Sequence, residues 1–306
     1  MNKTYRTVTG IITVMMLAVL LLSGCRSEGS KEKKQEAEQG TPKDLERVQQ
    51  EIKQANKIFE ALPSPLESAM LIKSAGAPFD KKFLNPVENA KLYTTSRSQA
   101  LNLGLYTCDL SFASLYDQTQ LIIDYMNAAK KMADGLGILD AIDQKTIENL
   151  EENINNKDAI MEIISETFLN SNSYLADNDQ NAVAAIVLVG GWVEGLYIST
   201  QLVDLKNFTD NKLVNTIVDQ KLSIQILVNL LDSNKGHPTV DELISQMQEL
   251  RIVFDKVKLE TGPVKTEIDP ATNTAILKSS AKIDISIEVF KELTAVVAKI
   301  RNSFVK

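Results

Sequence analysis

The stretch DQNAVAAIVLVGGWVEGLYISTQLVD, residues 179–204, predicts a helix, and the rest of the chain is built from patterns like it. Its apolar run from Ala182 to Trp192 ends before Glu194, so it is shorter than the ~20 apolar residues that a membrane-spanning helix needs. A glycine inside a helix costs about 1 kcal/mol relative to alanine. Gly190 and Gly191 therefore indicate that another helix or a ligand approaches closely.

Helical patterns separated by short polar loops fill most of the chain on either side of this stretch. Helices are predicted near 97–134, 143–154, 157–174, 210–233, 239–259 and 286–304. Short loops imply antiparallel neighbours. The sequence predicts an all-α fold, in which 41–306 form a single helical domain, a multi-helix antiparallel bundle or an irregular helical array. Alternating β-tolerant residues also permit one small β-hairpin near 262–285.

Three predicted helices begin with the same kind of sequence, in which a short polar residue precedes a proline. These starts are Thr41-Pro42, Ser64-Pro65 and Asn85-Pro86. The polar side chain can cap the free amides of the first turn. Proline suits the first helical position, where its missing N–H is not needed.

Composition excludes several classes of protein and of site. The 306 residues are 44% hydrophobic and 24% charged, which excludes a chain that is disordered over most of its length. A formal net charge of −7 argues against binding nucleic acid. One His and two Cys supply too few ligands for a zinc site, and no glycine-rich loop carries the Lys of a P-loop. We therefore expect no metal and no cofactor.

The N-terminus predicts export and lipid anchoring. Residues 1–24 have a basic start and an apolar core, as a signal peptide has, and Leu22-Ser23-Gly24-Cys25 resembles the lipobox of bacterial lipoproteins. The resemblance implies cleavage before Cys25, acylation of its sulfur and attachment to a membrane. Residues 25–40 lack large apolar side chains, which is typical of a flexible charged tether. Arg26 favours the outer membrane, because in such lipoproteins an Asp directly after the acylated Cys accompanies retention in the inner membrane. The sequence does not decide between the periplasmic and the surface face of that membrane.

Further stretches resemble a group of uncharacterised lipoproteins of Bacteroidota. They are Leu62-Pro63-Ser64-Pro65, the run ALNLGLYTCDLSFA at 100–113 and Lys299-Ile300-Arg301-Asn302. The resemblance covers most of the mature chain. The resemblance implies the lipid anchor and a location at the outer membrane. It identifies no catalytic residue in this chain.

Asp109 and Glu194 are the candidate functional residues, because each projects from an apolar and aromatic helical face. Buried carboxylates are costly unless they are paired or hydrogen-bonded. Either each accepts bonds from local donors, or the two line a ligand pocket. If their helices pack together, one carboxyl group should have a raised pKa. The candidate pocket residues beside them are Tyr106, Tyr116, Trp192 and Tyr197.

Two function classes remain open at this stage. The first is a non-enzymatic binding or scaffold lipoprotein of the cell envelope, whose partner is an unidentified envelope protein or ligand. The second is an envelope hydrolase that uses Asp109 and Glu194 as an acid–base pair. The absence of a nucleophile motif and of metal ligands from the sequence favours the first class.

Overall fold

The computed structural model describes residues 62–139, 144–209, 211–261, 265–269, 274–278 and 281–306. All of these belong to one compact unit. The predicted signal peptide, Cys25, the tether and the helix that follows Thr41 lie outside the described residues.

The fold is helical, which confirms the predicted class. The α-helices of the described part are α1 Pro65–Ser74, α2 Ser96–Leu115, α3 Thr119–Gly135, α4 Gln144–Glu152, α5 Lys157–Asp177, α6 Asn181–Leu202, α7 Lys212–Asp232, α8 Pro238–Phe254 and α9 Ile287–Phe304. Short 3₁₀ helices occupy Lys81–Phe83, Val87–Lys91 and Leu205–Asn207. The strands are β1 Lys258–Thr261, β2 Lys265–Asp269, β3 Thr274–Lys278 and β4 Ala281–Asp284.

The strands form two nested antiparallel pairs in the region where one small hairpin was predicted. β2 pairs with β3, with Thr266 opposite Leu277, and β1 pairs with β4, with Leu259 opposite Ile283. The helix predicted over 239–259 is shorter in the structure, because α8 ends at Phe254 and β1 begins at Lys258.

One of the predicted proline-led starts is confirmed, and another is wrong. The Ser64 hydroxyl accepts the Glu67 amide while the Glu67 carboxylate accepts the Ser64 amide, so α1 begins with a capping box. Asn85 caps no helix. The chain after Pro86 forms only the 3₁₀ helix Val87–Lys91, and the Asn85 side chain is buried and bonded to other core residues.

The single helix predicted over 97–134 is in fact two helices, α2 and α3. Asp117 between them has φ 56°, a left-handed conformation that ends a helix and that Asp tolerates better than most residues. The Gln118 amide then donates to the Ala113 carbonyl at 3.0 Å, and the chain reverses. The apolar periodicity continues through this turn, which is why the sequence pattern did not reveal it.

Helix α6 is the core of the molecule. It is long and apolar enough to pass a test for a membrane span, with a mean hydropathy of 1.7, but 83% of that window is buried inside the protein. It crosses α2 at glycines: a Cβ on Gly104 would lie 2.5 Å from the Gly191 nitrogen, and one on Gly190 would lie 3.0 Å from the Leu101 carbonyl carbon. The close approach predicted from Gly190 and Gly191 is therefore confirmed.

Candidate functional site

A buried ion pair lies where α6 meets the C-terminal helix α9. Arg301 donates from Nε to Glu194 Oε2 and from Nη2 to Oε1, both at 2.9 Å. The side chains are only 8% and 0% exposed. The Tyr197 ring lies against the guanidinium, with its centroid 4.7 Å from Arg301 Cζ. Burial opposes the charge on Arg301, but Glu194 outweighs this effect and raises the pKa of Arg301.

Asp109, on α2, places a second carboxyl group against this pair. It is fully buried, and its Oδ2 accepts the Asn85 backbone amide at 3.0 Å. The Asp109 and Glu194 carboxyl groups lie close enough to interact electrostatically, and Asp109 Oδ1 has no hydrogen-bond partner among the described residues. Burial and then the Glu194 charge raise the pKa of Asp109 well above its ordinary value. A raised pKa favours the protonated form, so we expect Asp109 to be a neutral acid beside the Glu194 carboxylate.

Amide side chains extend this network to the end of the chain. Asn85 Nδ2 donates to Asn102 Oδ1 at 3.0 Å, and Asn102 Nδ2 donates to the Phe304 carbonyl at 2.9 Å. The Tyr93 hydroxyl also contacts Asn85, at 3.2 Å from Nδ2. The buried polar groups therefore join α2 and α6 to the last turn of α9, and most of their bonding capacity is used within the protein.

Two of the aromatic candidates lie beside the network. Tyr197 packs on Arg301, and Tyr106 lies one helical turn from Asp109. The Tyr106 hydroxyl donates to the Pro86 carbonyl at 3.1 Å, and burial raises the pKa of Tyr106. The structure thus brings Asp109, Glu194, Tyr106 and Tyr197 together, in a site that is buried and filled by protein.

The other two aromatic candidates lie elsewhere. The Tyr116 hydroxyl donates to the Ala77 carbonyl at 2.5 Å, and its ring packs on Phe112. Trp192 Nε1 donates to Gln220 Oε1 at 3.0 Å and lines a small cavity of about 290 Å³ between α1, α6 and α7. These two residues therefore do not belong to one pocket with the carboxyl groups.

A larger cavity lies between α2, α3, α4, α5 and α6, and none of the six predicted residues lines it. It encloses about 660 Å³ of empty space, part of which is open to solvent. Most of the side chains around it are apolar, including those of Leu103, Leu110, Met126, Ile164 and Phe168.

The polar groups of this cavity are mainly hydrogen-bond acceptors. Thr107 and Thr167 donate their hydroxyl protons to carbonyls one turn back on their own helices, at 2.7 and 2.6 Å. Ser171 does the same at 2.8 Å. Asn172 is 7% exposed, and its Oδ1 has no partner among the described residues. Lys130, half-exposed, is the one titratable side chain in the lining.

The sequence contains a signal for this cavity on a helix that carries neither of the two candidate carboxyl groups. On α5, the apolar positions Ile160, Ile164 and Phe168 recur at helical spacing. The next positions of that face are the polar Ser171 and Asn172, both buried. Polar residues on an otherwise apolar face indicate either a buried hydrogen bond or a lined cavity.

Comparison with known proteins assigns nothing further: no protein-family model, no curated protein and no solved structure matches this chain. The carboxyl pair could exchange a proton, but both residues are fully buried and neither lines either of the two cavities. The cavity could hold a molecule, because it has space, an apolar wall and an unused acceptor.

Proposed function

We propose that this protein is a lipid-anchored lipoprotein of the cell envelope, whose helical domain is a non-enzymatic binding module for a small, largely apolar ligand. The proposal rests on the larger cavity, which is lined by α2, α3, α4, α5 and α6. It is a space with a largely apolar wall and a few polar groups, which is the usual composition of a ligand site. About 70 Å³ of the cavity can hold the centre of a water-sized sphere, whereas one water molecule needs only ~10–15 Å³ of such space. The cavity therefore has room for more than a single water.

The carboxyl pair supports a binding module over a hydrolase. An acid–base pair must reach the bond that it acts on. Asp109 and Glu194 are both fully buried, and Glu194 uses both of its oxygens on Arg301. Neither residue lines either of the two cavities described above.

The anchor is proposed from the lipobox and places the module at a membrane, most simply the outer membrane. In a bacterial host the chain should incorporate labelled palmitate and enter the detergent phase on partition. Cys25→Ala should abolish both, because the acylated sulfur is lost. Cys108→Ala is the matched control: Cys108 is a buried thiol, and this variant should keep its label. Acylation that survives in Cys25→Ala would contradict the anchor.

The binding module is tested by filling the cavity. Ala129→Phe places a large side chain in the space, whereas Lys131→Phe adds the same group to the exposed side of α3. Each full-length chain is purified from its host and extracted with organic solvent, and the extract is examined by mass spectrometry. We expect a compound that accompanies the wild type and Lys131→Phe but not Ala129→Phe. Identical extracts from all three would contradict ligand binding in this cavity.

A further inference from the structure

We infer that the cavity binds a single-chain acyl anion that also carries a hydrogen-bond donor, such as a hydroxy fatty acid. This inference rests on the proposed function and specifies its ligand. The inference rests on three features of the cavity: its narrow space with an apolar wall, a buried acceptor without a partner, and one cationic side chain.

The shape and the wall favour an alkyl chain. Only about 70 Å³ of the cavity can hold the centre of a water-sized sphere, so the cavity is narrow. A single methylene chain is thinner than a fused ring system and fits such a space. The wall is built by side chains such as Leu110, Met126 and Phe168, which a chain can contact without leaving a polar group unpaired.

Asn172 offers a buried acceptor to a donor on the ligand. A buried acceptor without a partner costs free energy, which a hydroxyl or amide N–H of a ligand would recover. The neighbouring hydroxyls cannot supply it, because Thr167 and Ser171 already donate to carbonyls of α5. A plain carboxylate has no proton to give. A ligand that carries a donor in addition to its chain would therefore satisfy Asn172 Oδ1.

Lys130 offers a positive charge to an anionic ligand. It is the one titratable side chain of the lining, and its half-exposed position on α3 puts its charge at the solvent edge of the cavity. A carboxylate there would pair with the ammonium group. Chain, donor and carboxylate together describe a hydroxylated fatty acid, or an acyl chain joined to an acidic head by an amide N–H.

The test uses probes that separate the three features. The full-length chain is kept in solution in amphipol, whether or not it is acylated, and binding is measured by competition with a fluorescent fatty acid. The probes are tetradecanoate, which lacks the donor; tetradecanol, which lacks the charge; and 3-hydroxy- and 14-hydroxytetradecanoate, which have both. At least one hydroxy acid should bind about 10-fold more tightly than tetradecanoate, as one recovered buried hydrogen bond predicts.

Two variants with matched controls locate the effect. Asn172→Leu should reduce the advantage of the hydroxy acid to less than about 2-fold, whereas Asn170→Leu, exposed on the same helix, should keep it. Lys130→Gln should weaken the acids about 5-fold without affecting tetradecanol, and the exposed Lys131→Gln should change neither. Circular dichroism shows whether each variant is folded.

The wild-type comparison alone can overturn the inference, even if a variant fails to fold. If tetradecanoate binds as tightly as both hydroxy acids, the donor has no partner in the cavity, and the inference is wrong while the binding module stands. If no probe binds, the inference is also wrong, and the extraction experiment decides separately on the binding module.

Discussion

Asp109 is a carboxylic acid placed where a third charge would have no partner. Glu194 and Arg301 already neutralise one another through two hydrogen bonds of 2.9 Å. An ionised Asp109 beside them would be an unpaired charge in a buried site. Burying such a charge costs far more free energy than protonating the carboxylate does. A neutral Asp109 would avoid this cost, would have a proton to share with Glu194 and would still accept the Asn85 amide.

Replacing Asp109 by Asn tests this proton directly. Asn keeps an oxygen for the Asn85 amide and supplies an NH₂ group in place of the acid proton. Because burial raises the pKa of Asp109 in the folded state, the stability that it contributes is complete below its unfolded pKa near 3.9 and is lost as pH rises through the folded value. The free energy of unfolding of Asp109→Asn relative to wild type should therefore increase as pH rises, as urea titrations at several pH values would measure.

The control for this series is Glu166→Gln, which makes the same change at an exposed position of α5 and should follow the wild type at every pH. If Asp109 were instead ionised, its charge would satisfy buried donors, and Asp109→Asn would cost about 1–3 kcal/mol. A constant cost of that size at all pH values would mean that Asp109 is ionised, and it would contradict the neutral acid.

At the scale of residues, the sequence predicted half of this network. Apolar faces around Asp109 and Glu194 marked both residues as buried carboxyl groups, and the glycines beside Glu194 predicted a close approach by another helix or a ligand, without saying that this helix is α2. Arg301 could not be found in the same way, because it lies 107 residues from Glu194 and nothing local marks it as a partner. Asn172 was missed because a polar residue on a helix is unremarkable until the neighbouring helices bury it.

At the scale of elements, the crossing of α2 and α6 depends on the absence of side chains at Gly104 and Gly190. Their backbones come so close that any Cβ would meet backbone atoms of the opposite helix, which cannot rotate away. Helix propensity alone would favour alanine at both positions, by about 1 kcal/mol each. The glycines are retained at this cost because the packing of the two helices needs them.

Gly104→Ala should therefore destabilise the protein although alanine is the better helix former. We expect a loss of at least about 2 kcal/mol in the free energy of unfolding, because the added methyl group forces the helices apart. Gly135→Ala is the matched control: its Cβ would meet only the flexible Gln99 side chain, so the change should stay within about 1 kcal/mol of wild type. Equal effects of the two substitutions in urea unfolding would show that the crossing is looser than described.

Elements were predicted well where periodicity decides and poorly where a single backbone angle decides. The apolar repeats predicted α5, α6 and α7 with errors of a few residues at their ends. The turn at Asp117 depends on one left-handed residue inside a pattern that stays helical on both sides, so periodicity could not detect it. Asn85-Pro86 has the composition of a cap, but burial and bonding to Asn102 gave the amide another role.

At the scale of the whole molecule, the two ends of the described chain depend on each other. Asn102 in α2 bonds to the Phe304 carbonyl across 202 residues, and Glu194 in α6 bonds to Arg301 across 107. The apolar side of α9, including Phe290, Leu293 and Val297, is buried in the same core. The core of the helical domain is thus complete only when its last helix, α9, has docked. Local sequence patterns do not predict contacts between residues so far apart in the chain.

Removing the Arg301 charge should weaken this docking severely. Arg301→Met keeps the length of the side chain but leaves Glu194 as a buried carboxylate beside Asp109, which should cost about 3–5 kcal/mol in the free energy of unfolding. Lys299→Met breaks the pair of Lys299 with Glu249 on the exposed side of the same helix, and exposed pairs contribute about 1 kcal/mol or less. Urea unfolding should therefore separate two substitutions that are two residues apart.

A double variant distinguishes a lost charge partner from lost packing. If Arg301→Met is harmful because Glu194 remains charged, adding Glu194→Met should restore much of the stability, since an apolar pair of similar volume replaces the ion pair. If the harm comes from the missing guanidinium contacts, with Tyr197 for example, the second substitution should add to the loss. Recovery in the double variant would show that the harm of Arg301→Met comes from the unpaired Glu194 charge. A further loss of stability would show that the guanidinium contacts matter more, and it would contradict the explanation by charge.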